Sequence, residues 1–260
     1  MSFYLMAFDL SGAPRSQGTF DEWVARQTQW SESHSYDDPS VSSEALQNWF
    51  SEMKKTYPPM NGPLALSNEE FDKLGGDEVR VTDYSIGREV IYCAFAWSVA
   101  DEAHEHARKL AAEQCVGFYC PESGEVFFPD TADKEPLELR TNWAENPLPT
   151  WRDVEQAIGD LTEEPVNFIF LGPKTTESDI QFIQAVIEWV SEKKSLFRKA
   201  VKTPGPYCVE AQIKQANGAL IHHCLKTSDI AEVKQIFMAY FNWRTAPDVS
   251  GWEQFSFWEP

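Results

Sequence analysis

Tyr207-Cys208-Val209-Glu210-Ala211-Gln212-Ile213-Lys214-Gln215, then Ala216-Asn217-Gly218, then Leu220-Ile221-His222-His223-Cys224-Leu225-Lys226: this stretch decides the fold class. Its two arms are rich in β-branched and aromatic residues, and an Asn-Gly turn joins them. Strands joined so closely are antiparallel, because a parallel pair needs a crossover of about a dozen residues. Two more hairpins read the same way. One spans 116–128 around Pro121-Glu122-Ser123-Gly124, and the other pairs 78–85 with 89–96 around Ile86-Gly87-Arg88.

Helical spacing is equally legible between the hairpins. Leu46, Trp49, Phe50 and Met53 share a face over 43–55, which Ser43 caps and Pro58-Pro59 stops. Val99, Ala103, Ala107, Leu110 and Ala111 do so over 98–113, and Val154, Ala157, Ile158 and Leu161 over 151–161. Ile230, Val233, Ile236, Phe237 and Tyr240 predict a helix over 230–241 with Ser228 as cap. Thr19 and Glu22 have capping-box spacing for a helix near the start. Further strands are predicted at 3–8, 166–171, 195–201 and 252–258, while 180–190 fits helix and strand alike. The sum is an α+β protein of two α/β units, each a mainly antiparallel sheet flanked by helices.

The predicted division is an acidic domain over 1–130, a linker or seam over 131–148, and a second α+β domain over 149–260. Pro136, Pro147 and Pro149 interrupt the seam, and its charged stretch lacks a clean period. Residues 1–130 carry 9 basic and 22 acidic residues, residues 131–260 carry 13 and 19, and the whole chain of 260 has a net charge of -19. Such a surface repels phosphate backbones and anionic membranes, which argues against direct nucleic-acid or membrane binding. It suits a basic protein partner, although an acidic surface also serves solubility alone. No apolar run approaches the roughly 18 residues of a membrane span. The first residues lack the basic region and cleavage site of a signal peptide. Five cysteines, an odd number, argue against a disulfide framework and for a reducing compartment, so the cytoplasm is the expected location.

Motifs for catalysis are not found. His104 and His106 are two apart on a predicted helix, His222 and His223 are strand neighbours on opposite faces, and Cys115 and Cys120 lack a second pair, so no metal site is expected. A nucleophile elbow and a glycine-rich phosphate loop are missing. Cys93, Cys208 and Cys224 read as buried inert thiols, and Cys120, beside a turn, as the exposed one. The expectation is a non-enzyme without cofactor or metal. Of ten tryptophans, Trp23, Trp49, Trp97 and Trp151 read as core. Trp30 and Trp143 stand in polar or charged surroundings, where an aromatic anchors an interface or covers a core edge.

Two groups of residues carry a resemblance. Phe3-Tyr4-Leu5-Met6-Ala7-Phe8-Asp9, Phe95-Ala96-Trp97-Ser98 and the segment from Val116 to Val126 are similar to bacterial proteins of poorly defined function often encoded beside secreted toxins. Tyr207-Cys208-Val209-Glu210-Ala211, Ile221-His222-His223, the helix over 230–241 and Trp252-Glu253-Gln254-Phe255-Ser256-Phe257-Trp258 resemble the C-terminal part of small immunity proteins of polymorphic-toxin systems, the Imm1-like class. The resemblance implies a cytoplasmic protein that binds one cognate toxin tightly, such as a type VI secretion effector, without catalysis. A nuclease toxin is basic where it holds phosphate, and an acidic inhibitor can occupy that groove. The implied contact residues are Asp37, Asp38, Glu69, Glu70, Asp72, Asp77 and Glu78, with Trp30 and Trp143 as anchors. Two rivals remain: an effector chaperone or adaptor, and an enzyme or small-ligand binder with a site between the halves.

Overall fold

In the computed structural model, residues 2–129, 136–162, 168–175, 178–191 and 202–255 are described. The chain divides into two compact units, Met1–Asp133 and Lys134–Pro260. Each is an antiparallel sheet with helices, so the α+β reading holds.

The first unit contains β1 (Ser2–Phe8), α1 (Gln17–Gln27), α2 (Glu44–Thr56), α3 (Asn68–Phe71), β2 (Asp83–Ile86), β3 (Val90–Ala96), α4 (Ala100–Glu113), β4 (Gly117–Cys120) and β5 (Glu125–Phe127). The sheet order is β2-β3-β1-β4-β5. Leu5 through Phe8 are all buried because β1 is covered on both faces. On one side Leu5 and Ala7 join Trp49, Met53, Ala103 and Ala107 of α2 and α4 in one core. The buried Trp49 indole N–H donates to the Ala107 carbonyl at 3.1 Å, which removes the cost of an unpaired donor. On the other side Phe8 meets Phe20 and Trp23 of α1 and also Phe128, with ring centroids 5.2–5.7 Å apart. The hydrophobic spacing of α2 and α4 is therefore realised as read, with Leu46, Trp49, Phe50 and Met53 all buried.

The second unit contains β6 (Leu137–Thr141), β7 (Glu145–Asn146), α5 (Trp151–Asp160), β8 (Phe168–Pro173), β9 (Ile180–Ser191), β10 (Lys202–Lys214), β11 (Leu220–Thr227), α6 (Ile230–Trp243) and β12 (Glu253–Phe255). Its order is β12-β11-β10-β9-β8-β6-β7. Val154 and Ile158 of α5 and Val233 and Phe237 of α6 cover the face that carries Ile169, Leu171, Ile183 and Val209.

Several sequence expectations are corrected. The ambiguous 180–190 segment is strand: β9 pairs with β8 and with β10, and its burial alternates from Ile183 to Ile187. The predicted linker carries β6 and β7, which extend the second sheet from its β8 side. The strand expected over 78–85 begins only at Asp83, because Asp77–Arg80 forms a 3-10 turn. Gly75 and Gly76 have φ of 60° and 119° and reverse the chain there, and Arg80 is held by both carboxylate oxygens of Glu102 at 2.8 Å. Ser16, not Thr19, stands at the N-cap of α1. Asp229, not Ser228, caps α6, accepting from the Ala231 N–H at 2.8 Å. Cys120 is buried and Trp97 is half exposed; Cys208 and Cys224, expected as free thiols, are paired as a disulfide because the β10–β11 pairing brings their Cα atoms to 6.3 Å, so the cysteines no longer argue for a reducing compartment. The predicted strand over 195–201 and the last residues of 252–258 lie outside the described residues.

Candidate partner-binding surface

Pro58-Pro59 cannot continue α2, and the chain then runs through Met60, Gly62 and α3 to the 3-10 turn without a long regular element. Four large apolar residues of this ledge stand exposed. Met60 is 58% exposed, and Leu64, Phe71 and Val79 are exposed with it. Acidic groups alternate with them. Glu69, Asp72, Asp77 and Glu78 are all exposed. Asp77 lies 4.0 Å from Arg80, a loose contact in solvent. Glu70 is differently employed: it closes a capping box with Ser67, whose hydroxyl and main-chain N–H hold the Glu70 carboxyl below the usual range.

Of the remaining predicted contacts, Asp38 caps the 3-10 turn Pro39–Val41 by accepting from the Ser40 N–H at 2.9 Å. That bond and one from the Ser40 side chain lower its pKa. Trp30, read as an interface anchor, is half buried instead. It sits at φ 50°, with ring contacts to Tyr36 at 5.3 Å and Tyr92 at 5.9 Å. Trp143 is 69% exposed and belongs to the second unit, in the turn between β6 and β7. There the Thr141 hydroxyl oxygen accepts from the Trp143 and Ala144 N–H groups at 3.3 and 3.2 Å.

Asp37 leads to a feature that the sequence reading missed. Beside β2, the edge strand of the first sheet, lies a cleft of about 320 Å³. Asp37 and Asp83 stand in its wall with Asn61, whose amide donates to Asp83 at 3.0 Å. Phe50, Leu64 and Ile86 supply the apolar side. Gly62, at φ 81°, abuts Asp37: a Cβ there would come within 2.8 Å of the aspartate Cβ, so glycine is required on both counts. The three segments are far apart in sequence, and no local spacing marks Asn61 or Asp83 as partners of Asp37.

Elsewhere Glu125 and Glu210 are engaged in structural roles. Glu125 is buried and takes Arg108 at 2.6 Å and His104 at 3.0 Å. His106 points elsewhere, toward Tyr57. In the second unit His222 lies 3.2 Å from Glu210, which also accepts from Gln184 at 2.8 Å. Among the described residues, no group of three His, Cys, Asp or Glu gathers as a metal site, and no helix is long and apolar enough to cross a membrane. Compared with protein families, curated proteins and solved structures, the chain matches none.

Proposed function

We propose that this protein is an immunity protein that binds and neutralises a basic secreted toxin, a nuclease in the first instance, in the cytoplasm and without catalysis. The observation that carries the reading is the ledge over residues 60–79. Exposed Met60, Leu64, Phe71 and Val79 interleave there with exposed Glu69, Asp72, Asp77 and Glu78. Apolar side chains left in water beside carboxylates lower the free energy of the complex when a partner covers them. The carboxylates choose the sign of that partner and speed its approach. A nuclease must present cations where it holds phosphate, so the same groups compete with its substrate.

The test is capture of the tagged protein with its bound partner from lysate of the source cells, washed at about 0.5 M salt, where the screening length is only a few ångströms. Recovery of one stoichiometric basic toxin domain, and rescue of cells that express that domain, is the expected result. An effector chaperone would be captured with its client but would leave toxicity intact.

A further inference from the structure

The outer edge of β2 is closed at both ends and open in the middle. At one end, the Thr82 N–H donates to the Pro58 carbonyl at 2.9 Å, and the Thr82 carbonyl accepts from the Met60 N–H at 2.8 Å. At the other, the Ile86 N–H donates to the Tyr36 carbonyl at 2.8 Å. Main-chain groups of a strand alternate in direction with period two, so those of Tyr84 also point outward, between the two closures. They have no hydrogen-bond partner among the described residues. The Tyr84 side chain joins the core beside Phe50, its hydroxyl donating to the Tyr57 carbonyl at 2.8 Å. Tyr84 is buried as a residue, and the cleft beside it is where its outward main-chain groups can meet a partner.

What faces this gap is the cleft. Its charged lining is two carboxylates, Asp37 and Asp83, set among Asn61, Ser35 and Ser85, and the Ser35 hydroxyl and the Asn61 amide each donate one bond to them. No lysine, arginine or histidine lines it. Phe50, Leu64 and Ile86 offer apolar surface to an aliphatic stem, and about 320 Å³ holds one large side chain with room for water.

We propose that the cleft beside Tyr84 is a socket for one arginine or lysine side chain of the basic protein partner. The stem lies along Phe50 and Leu64, and the cationic head is held between Asp37, Asp83 and the Tyr84 carbonyl. Guanidinium suits the site better than ammonium because its planar fork reaches several acceptors at once. The socket rests on the immunity reading only for the identity of the partner.

The test uses the unaltered protein and two probes, N-acetyl-Gly-Arg-Gly-amide and its citrulline counterpart, which has nearly the same shape without the charge. Amide NMR signals of Tyr84 and its neighbours should shift saturably with the arginine peptide, and citrulline should bind at least tenfold more weakly. The double substitution Asp37→Asn and Asp83→Asn should lower affinity for the arginine peptide by tenfold or more with the rest of the spectrum unchanged. Equal binding of the citrulline peptide, or shifts confined to residues outside the cleft, would overturn the socket. Propylguanidinium binding as tightly as the peptide would make it a small-cation site and overturn the assignment to a protein side chain. If the arginine peptide binds at Tyr84 but no toxin domain is recovered from cells, the immunity reading fails and the socket stands. If the double variant associates with a recovered toxin at an unchanged rate and affinity, the socket fails and the immunity reading stands.

Discussion

At the scale of single residues, buried charge and buried histidine set the sharpest expectations. Glu125 is almost completely buried, and its carboxylate oxygens contact Arg108 at 2.6 Å and a His104 ring nitrogen at 3.0 Å. Arg108→Met keeps an aliphatic stem but removes one partner of Glu125 together with the guanidinium that lies over the Phe127 ring. Since an under-compensated buried carboxylate is costly, the substitution should destabilise the first unit by about 3 kcal/mol, read from urea unfolding. His223 is buried with neither ring nitrogen hydrogen-bonded. Burial, and then the neighbouring His222, lowers its pKa from the ordinary value near 6.5. The folded state therefore binds fewer protons than the unfolded chain below about pH 6.5, and stability falls as pH falls through that region. The urea midpoint should drop between pH 7.5 and 5.5, and His223→Leu should flatten the slope. What slope remains belongs in part to His106, which burial and then Lys109 lower in the same direction. An unchanged slope in His223→Leu would show that His223 does not carry the effect.

At the scale of elements, close packing explains positions that propensity does not. Gly117 opens β4 directly against the ring of Phe8, where an added Cβ would stand 2.0 Å from a ring carbon. Gly117→Ala should therefore destabilise by about 2–3 kcal/mol, the cost of overpacking a full core, with little change in the urea m-value. Phe8→Leu in the same chain should recover part of the loss by withdrawing the ring. The hairpin between β4 and β5 was legible because turn chemistry at Pro121–Gly124 and alternation on both sides agree. The 180–190 segment was not legible because Ile180, Ile183, Ile187 and Val190 have helical spacing while Phe182, Ile183, Val186, Ile187 and Trp189 are residue types that favour strands. Pairing with β8 and β10 on its two edges decides it. The β6–β7 hairpin was hidden for a related reason: Glu138 and Arg140 on the outward positions of β6 read as a charged linker.

At the scale of the whole molecule, the negative charge is concentrated in residues 1–130, and the exposed ledge over 60–79 lies within them. Reversing Asp72, Asp77 and Glu78 to lysine should slow association with a basic toxin about tenfold or more at low salt, with a smaller change in dissociation. Stopped-flow measurement across a salt series checks it, and an unchanged rate at low salt would remove these three from the contact. The candidate surface was half legible. Glu69, Asp72, Asp77 and Glu78 could be chosen by charge and loop context, and they are exposed. Glu70 and Asp38 could not be told from their neighbours, because their capping bonds to Ser67 and Ser40 appear only once the chain is folded. Trp30 went the other way: its polar sequence neighbours concealed the rings of Tyr36 and Tyr92.

By itself the sequence determined the α+β class, the helices α2, α4, α5 and α6, the tight hairpins, and an acidic molecule. Those properties are set by interactions within a few residues, or by summation over the chain, and both can be read in one dimension. Only the tertiary structure decided that β9 is a strand, that Cys208 meets Cys224, and that Asp37, Asn61, Asp83 and Tyr84 line one cleft. Each of those depends on which distant segments lie side by side, and strand pairing and packing select that arrangement from many the local pattern allows.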